Sequence, residues 1–129
     1  TYIDSSILVG ILFREQSAVQ WQKYLNDRDE LLSASIIEAE VLSAAVREKV
    51  PLENAEALLD CISLIQPDRS LRQEYHQIFA IGFCRGADAL HIACALYLDP
   101  ERKEVDFLTA DEKQGKLAEK LGFKIPRFK

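Results

Sequence analysis

Five carboxylates in this sequence stand out against an apolar run or an element boundary. Asp4 closes the run Tyr2-Ile3, and Asp111 follows Val105-Asp106-Phe107-Leu108-Thr109-Ala110. Glu38 and Glu40 sit inside the mostly apolar stretch from Ser35 to Ala45. Between residues 87 and 98 every side chain is apolar or weakly polar except Asp88 and His91. A carboxylate in apolar surroundings is costly unless something compensates it. Carboxylates that converge also repel one another, and their pKa values rise unless a cation intervenes. A hard divalent ion such as Mg²⁺ or Mn²⁺ takes such oxygen ligands and keeps waters for a substrate phosphate. The chemistry this suggests is metal-assisted phosphodiester hydrolysis, with the ion polarising the phosphate and activating a water. Each acid also has a plain structural explanation. Asp4 before Ser5-Ser6, Asp88 after Gly86 and Asp111 before Glu112 all suit helix N-caps, which favour Asp.

The elements that must position these acids alternate along the chain. Thr1–Asp4 reads as a strand, Ser6–Phe13 as a short helix and residues 17–27 as another. Leu31–Ser35 is a second strand, followed by helices over Ile36–Lys49 and Leu52–Cys61, with Pro51 at a helix-start position. Leu64–Gln66 is a third strand, ended by Pro67. Leu71–Arg85 and Ala87–Leu98 are helices divided by Gly86. Val105–Ala110 is a fourth strand, and Asp111–Leu121 a polar helix stopped by Gly122. Lys124–Ile125 is a short fifth strand before Pro126. Strands alternating with helices predict an α/β fold whose parallel sheet is covered on both faces. Sites in such sheets form beyond the carboxyl ends of the strands, where Asp4 and Asp111 fall. Asp88 opens the apolar helix before the fourth strand, and the two glutamates lie in the first turns of the helix after the second. Periodicity does not separate Glu38 from Glu40, because the apolar arc of Ile37, Val41, Ala44 and Ala45 has one on each flank.

The rest of the composition narrows the class. The 129 residues suit one domain with its own core. With 48% hydrophobic and 29% charged residues, the chain resembles an ordinary soluble globular protein. Its apolar runs are far shorter than a membrane span, and no signal peptide is visible. It opens on Thr1 in a strand-like run, which suggests a trimmed start. Cys61, Cys84 and Cys94 lie in apolar segments without a C-x-x-C pair, so buried free thiols and a reducing cytoplasm are expected. The net charge of −5 is uneven: residues 113–129 carry six basic side chains and one acidic. That pattern reads as a solvated helix face and tail, with phosphate contact as the alternative.

Four segments, "YIDSSILV", "SIIEAEVLSAA", "GADALHIACAL" and "DFLTADEKQGKLAEKLG", together resemble the PIN-domain family of metal-dependent ribonucleases. The match spans essentially the whole chain, and the toxin branch of toxin–antitoxin pairs (VapC-type) is the most similar. The resemblance implies a single PIN domain over residues 1–129. Its fold is a three-layer α/β/α sandwich with a central parallel sheet of about five strands. It also implies an acidic pocket for Mg²⁺ or Mn²⁺. By its motif order the catalytic acids are Asp4, Glu40, Asp88 and Asp111, with Asp4, Asp88 and Asp111 holding the metal. Glu40 fits better than Glu38, whose charge then balances the helix dipole. Ser5 and Thr109 support the carboxylates, Asp106 is a spare, and His91 is a core hydrogen bonder rather than a ligand. The partners implied are an RNA substrate, guided by Arg85 and the basic C-terminal segment, an antitoxin that covers the acidic groove, and a second copy in a homodimer. Phe13, Trp21 and Tyr24 are candidates for the dimer surface, with a core role equally open for Trp21. No membrane is implied, and the expected location is the cytoplasm.

Other readings fit the same sequence. A PIN-fold RNA-processing nuclease without an antitoxin, or a non-catalytic module of the same fold, satisfies the same motifs. An aspartyl-nucleophile phosphatase wants a second Asp at position 6, which is Ser, and a phosphate-accepting receiver wants an Asp ending the third strand. No phosphate-binding glycine loop with its Lys-Ser/Thr ending is present.

Overall fold

The computed structural model describes residues 1–128. Among them, four strands alternate with helices: β1 (Tyr2–Ile3), α1 (Ser5–Leu12), α2 (Ala18–Asn26), β2 (Leu32–Ala34), α3 (Ile36–Arg47) and α4 (Leu52–Leu59). These are followed by β3 (Ser63–Ile65), α5 (Arg72–Ile81), α6 (Gly86–Leu98), β4 (Phe107–Leu108) and α7 (Glu112–Lys120). The sheet has the order β3-β2-β1-β4, and every pairing is parallel. Parallel neighbours need crossovers, and the helices supply them.

Side chains alternate across each strand, so consecutive residues serve opposite layers. Tyr2 and Phe107 stack at 5.2 Å between ring centroids and face a core built with α5, α6 and α7. Ile3 and Leu108 turn to the other face and pack with α1, α2, α3 and α4. The α/β/α sandwich follows directly. Helix α6 owes its apolar sequence to its place in the first of these layers, where seven of its residues, Ala89 and His91 through Leu96, are buried. In the second layer α1 and α2 approach so closely that a Cβ on Gly10 would stand 2.2 Å from Cζ3 of Trp21. Trp21 is buried there, which assigns it to the core rather than to an exposed dimer surface. Gly122, at φ 107°, stops α7 in the left-handed region that glycine tolerates best.

Three expectations need correction. The fifth strand shrinks to one parallel bridge, Asp106 to Lys124, with the Phe107 amide donating to the Lys124 carbonyl. Pro126 has no amide proton, so the ladder stops there. Helix α5 ends at Ile81 rather than Arg85, because the backbone is extended at Gly82. Of the three free thiols only Cys94 is buried: Cys84 is half-buried, and Cys61 is exposed because α4 buries Ala55 and Leu59 instead. No single described helix is long and apolar enough to cross a membrane.

Candidate active site

The strand order makes β1 a switch point. The chain steps from β1 to β2 to β3 in one direction, then returns to place β4 on the other side of β1. The crevice beyond the carboxyl ends of two such neighbours is where open α/β sheets bind ligands. Asp4 leaves β1 there, and Thr109 to Asp111 leave β4 beside it; the Asp4 amide donates to the Leu108 carbonyl.

Asp4 is 3% exposed. It precedes α1 but makes no side-chain cap bond, so capping does not explain it. Its carboxylate accepts a 2.6 Å hydrogen bond from the Ser6 hydroxyl, which in turn accepts from the Ala110 amide. Burial pushes its pKa up from 3.8 to about 6; Ser6, His91 and Thr109 oppose the shift, and the charge of Glu40 adds to it. The hydroxyl on Asp4 is therefore that of Ser6, not Ser5. Successive helical side chains point about 100° apart, and the second residue of α1 is the one set beside the end of β4.

Asp88 lies in the first turn of α6, past the N-cap, and capping does not explain it either. Burial raises its pKa, and the charges of Asp111 and Glu40 raise it further, while His91 and Arg85 oppose. Asp111 does cap: its Oδ1 accepts from the Gln114 amide at 3.2 Å. Glu40, not Glu38, is the glutamate among these charges. Its Oε1 lies 2.7 Å from His91 Nε2, while Glu38 is exposed to solvent. Asp106 sits at the start of β4, away from this edge, where it accepts from the Tyr24 hydroxyl.

Four supporting residues, Tyr2, His91, Thr109 and Gln114, carry the arrangement. His91, 1% exposed, has its Nδ1 2.8 Å from the Tyr2 hydroxyl, and that oxygen accepts from the Ala34 amide at 3.0 Å. All partners are satisfied when Tyr2 donates to Nδ1 and Nε2–H donates to Glu40. Gln114, also 1% exposed, accepts from the Thr109 hydroxyl at 2.7 Å and donates to the Asp88 carbonyl at 3.2 Å. It thus ties the end of β4 to the start of α6. Thr109 accepts from the Asp111 amide as well. Sequence reasoning passed over Tyr2 and Gln114. The spacing Asp111-x-x-Gln114 is a capping-box signal, but it does not reveal that the amide turns away towards Thr109 and Asp88.

Asp4, Glu40, Asp88 and Asp111 therefore share one electrostatic neighbourhood at one sheet edge. Among the described residues, no Lys or Arg forms an ion pair with any of them. Equally, no group of three or more His, Cys, Asp or Glu side chains among the described residues is placed to hold a metal ion. The donor set is all oxygen and short of positive charge, which is the chemistry a hard divalent cation fits.

A family model described as the PIN domain matches residues 1–120, and the chain belongs to the PIN-domain family. Members of this superfamily are generally nucleases that use divalent metals. A comparison with curated proteins returned no match.

Proposed function

We propose that this chain is a Mg²⁺- or Mn²⁺-dependent endoribonuclease and the toxin of a type II toxin–antitoxin pair. The observation that carries the chemistry is the convergence of Asp4, Glu40, Asp88 and Asp111 at the β1–β4 switch point, with Asp4 and Asp88 both raised in pKa and neither paired with a base. Asp4, Asp88 and Asp111 would hold the ion, which supplies polarisation of the phosphodiester and an activated water. Glu40, steered by His91, orients that water. Ser6 and Thr109 fix the geometry of the strand ends that carry the acids.

The toxin assignment rests on the sequence resemblance. It entails an antitoxin that covers the acidic edge and neutralises it with a basic side chain, and a homodimer as the working form. A reducing cytoplasm suits three cysteines that are all free. The deciding experiment is cleavage of single-stranded RNA with and without Mn²⁺. Asp4→Asn and Asp88→Asn are expected to abolish metal-dependent cleavage while circular dichroism stays native. Full activity in both variants overturns the catalytic assignment.

A further inference from the structure

The segment between α5 and α6 is short, extended and alternating. Gly82 and Cys84 are half-buried, whereas Phe83 and Arg85 are exposed. Cys84 packs at the margin of the core, and Gly82 lies close enough to α7 that a Cβ there would meet Leu117 at 3.1 Å. The inward residues hold the segment down. By the alternation of an extended chain, Phe83 and Arg85 are then thrust outward.

Phe83 is 78% exposed. The ring is not isolated. With Arg85 and Lys113 it lines a cleft of about 330 Å³ whose other walls include Asp88 and Asp111. Neither Arg85 nor Lys113 forms an ion pair among the described residues. An open aromatic face beside two cations without ion pairs is a combination that binds a nucleic-acid single strand. Bases stack on the ring, and the cations follow the phosphates. A duplex keeps its bases stacked on one another and offers no free face to the ring.

We propose that Phe83 is a stacking platform for an unpaired base of the substrate, with Arg85 and Lys113 receiving the adjoining phosphates, so that the strand enters the acidic edge along the α5–α6 segment. The inference rests on the nuclease reading above and assigns the surface that receives the strand.

Binding separates the two claims, because it is measured in chelator, where metal-dependent cleavage is silent. Fluorescein-labelled oligoadenylate is titrated with the wild type, Phe83→Ala and Phe83→Trp. Phe83→Ala is expected to weaken binding about tenfold, with no change in thermal midpoint and no change in affinity for duplex RNA. Phe83→Trp is expected to bind at least as tightly as wild type, and its added indole emission to be quenched by the oligonucleotide. Charge reversal in Lys113→Glu is expected to weaken binding and flatten its salt dependence.

Equal affinity of wild type and Phe83→Ala overturns the proposal and leaves the ring to a protein partner. An unquenched indole in Phe83→Trp, or no single-strand binding by the wild type, overturns it as well. Phe83-dependent binding by a chain that never cleaves RNA sinks the nuclease reading alone. Metal-dependent cleavage together with Phe83-independent binding sinks the stacking platform alone.

Discussion

The Nε2 atom of His91 lies 2.7 Å from Oε1 of Glu40, and through this contact the buried core reaches the acidic edge of the sheet. Behind it, the Tyr2 hydroxyl at 2.8 Å from Nδ1 sets which ring nitrogen carries the proton, and the Ala34 amide fixes the hydroxyl. The chain runs from the backbone of β2, through β1 and α6, to a side chain of α3. Four elements thus agree on the position of one carboxylate.

Removing the phenolic oxygen tests that chain. Tyr2→Phe strands the Ala34 amide and His91 Nδ1 in the core, and each unsatisfied group costs about 1–3 kcal/mol. A lower urea midpoint with an unchanged denaturant slope is the expected result. His91→Ala frees Glu40, and residues that orient an active group in this way typically matter by about 10–100-fold in activity. The loss is expected in kcat with KM little changed. An active His91→Ala variant at wild-type kcat refutes the positioning role.

Asp4 predicts how stability depends on pH. Burial raises its pKa from 3.8 to about 6, so the folded state holds a proton that the unfolded chain gives up more readily. Below the unfolded value the folded protein bears no penalty. As the pH rises towards 6 a penalty grows, and above that it is complete, on the order of 3 kcal/mol for a shift of this size. In chelator, Asp4→Asn is therefore expected to be more stable than wild type at neutral pH, with the two converging near the unfolded carboxylate pKa of about 4. On the proposed metal-dependent reading, Mn²⁺ competes with the proton for the same oxygens. It is expected to raise the thermal midpoint of wild type at neutral pH and to leave Asp4→Asn nearly unmoved. Scanning calorimetry across pH, with and without Mn²⁺, measures both. A wild type that is the more stable of the two at neutral pH contradicts the raised Asp4 pKa.

Gln114 is the tie between β4 and α6. Gln114→Leu keeps the apolar volume but removes the acceptor of the Thr109 hydroxyl and the side-chain donor to the Asp88 carbonyl, at about 0.5–1.5 kcal/mol per lost hydrogen bond. Gln114→Glu is expected to be worse at neutral pH, because it sets another carboxylate against the Asp88 carbonyl and close to the acids. Protonation restores a donor, so the Gln114→Glu deficit should shrink as the pH falls. Thermal scans at neutral and acidic pH distinguish this from simple loss of packing, which is indifferent to pH.

Much of the architecture was legible before folding. Short apolar strands alternating with helices imposed a parallel sheet with both faces covered, because strand residues such as Tyr2 and Ile3 have no polar side to offer solvent. The placement of Asp4 and Asp111 after β1 and β4 also followed from the chain, since strand ends of a parallel sheet share an edge. Lys124–Ile125 is strand-like locally, but the amide missing at Pro126 limits it to a single bridge.

The order β3-β2-β1-β4 lay beyond the sequence, because it depends on which strand neighbours β1 across the sheet. That order alone brings Asp4 beside the end of β4, from which Asp111 follows. Local periodicity left Glu38 and Glu40 equivalent on the flanks of α3; the distinction came from the buried face of α6, where His91 reaches Glu40. N-capping fits Asp4, Asp88 and Asp111 equally as types of residue, yet only Asp111 caps. Which residue types stand at the element boundaries is written in the chain, because helix starts, strand ends and apolar runs are local properties. Which of those acids share one field depends on the folded arrangement, because carboxylate pKa values respond to burial and to charges brought together from distant parts of the chain.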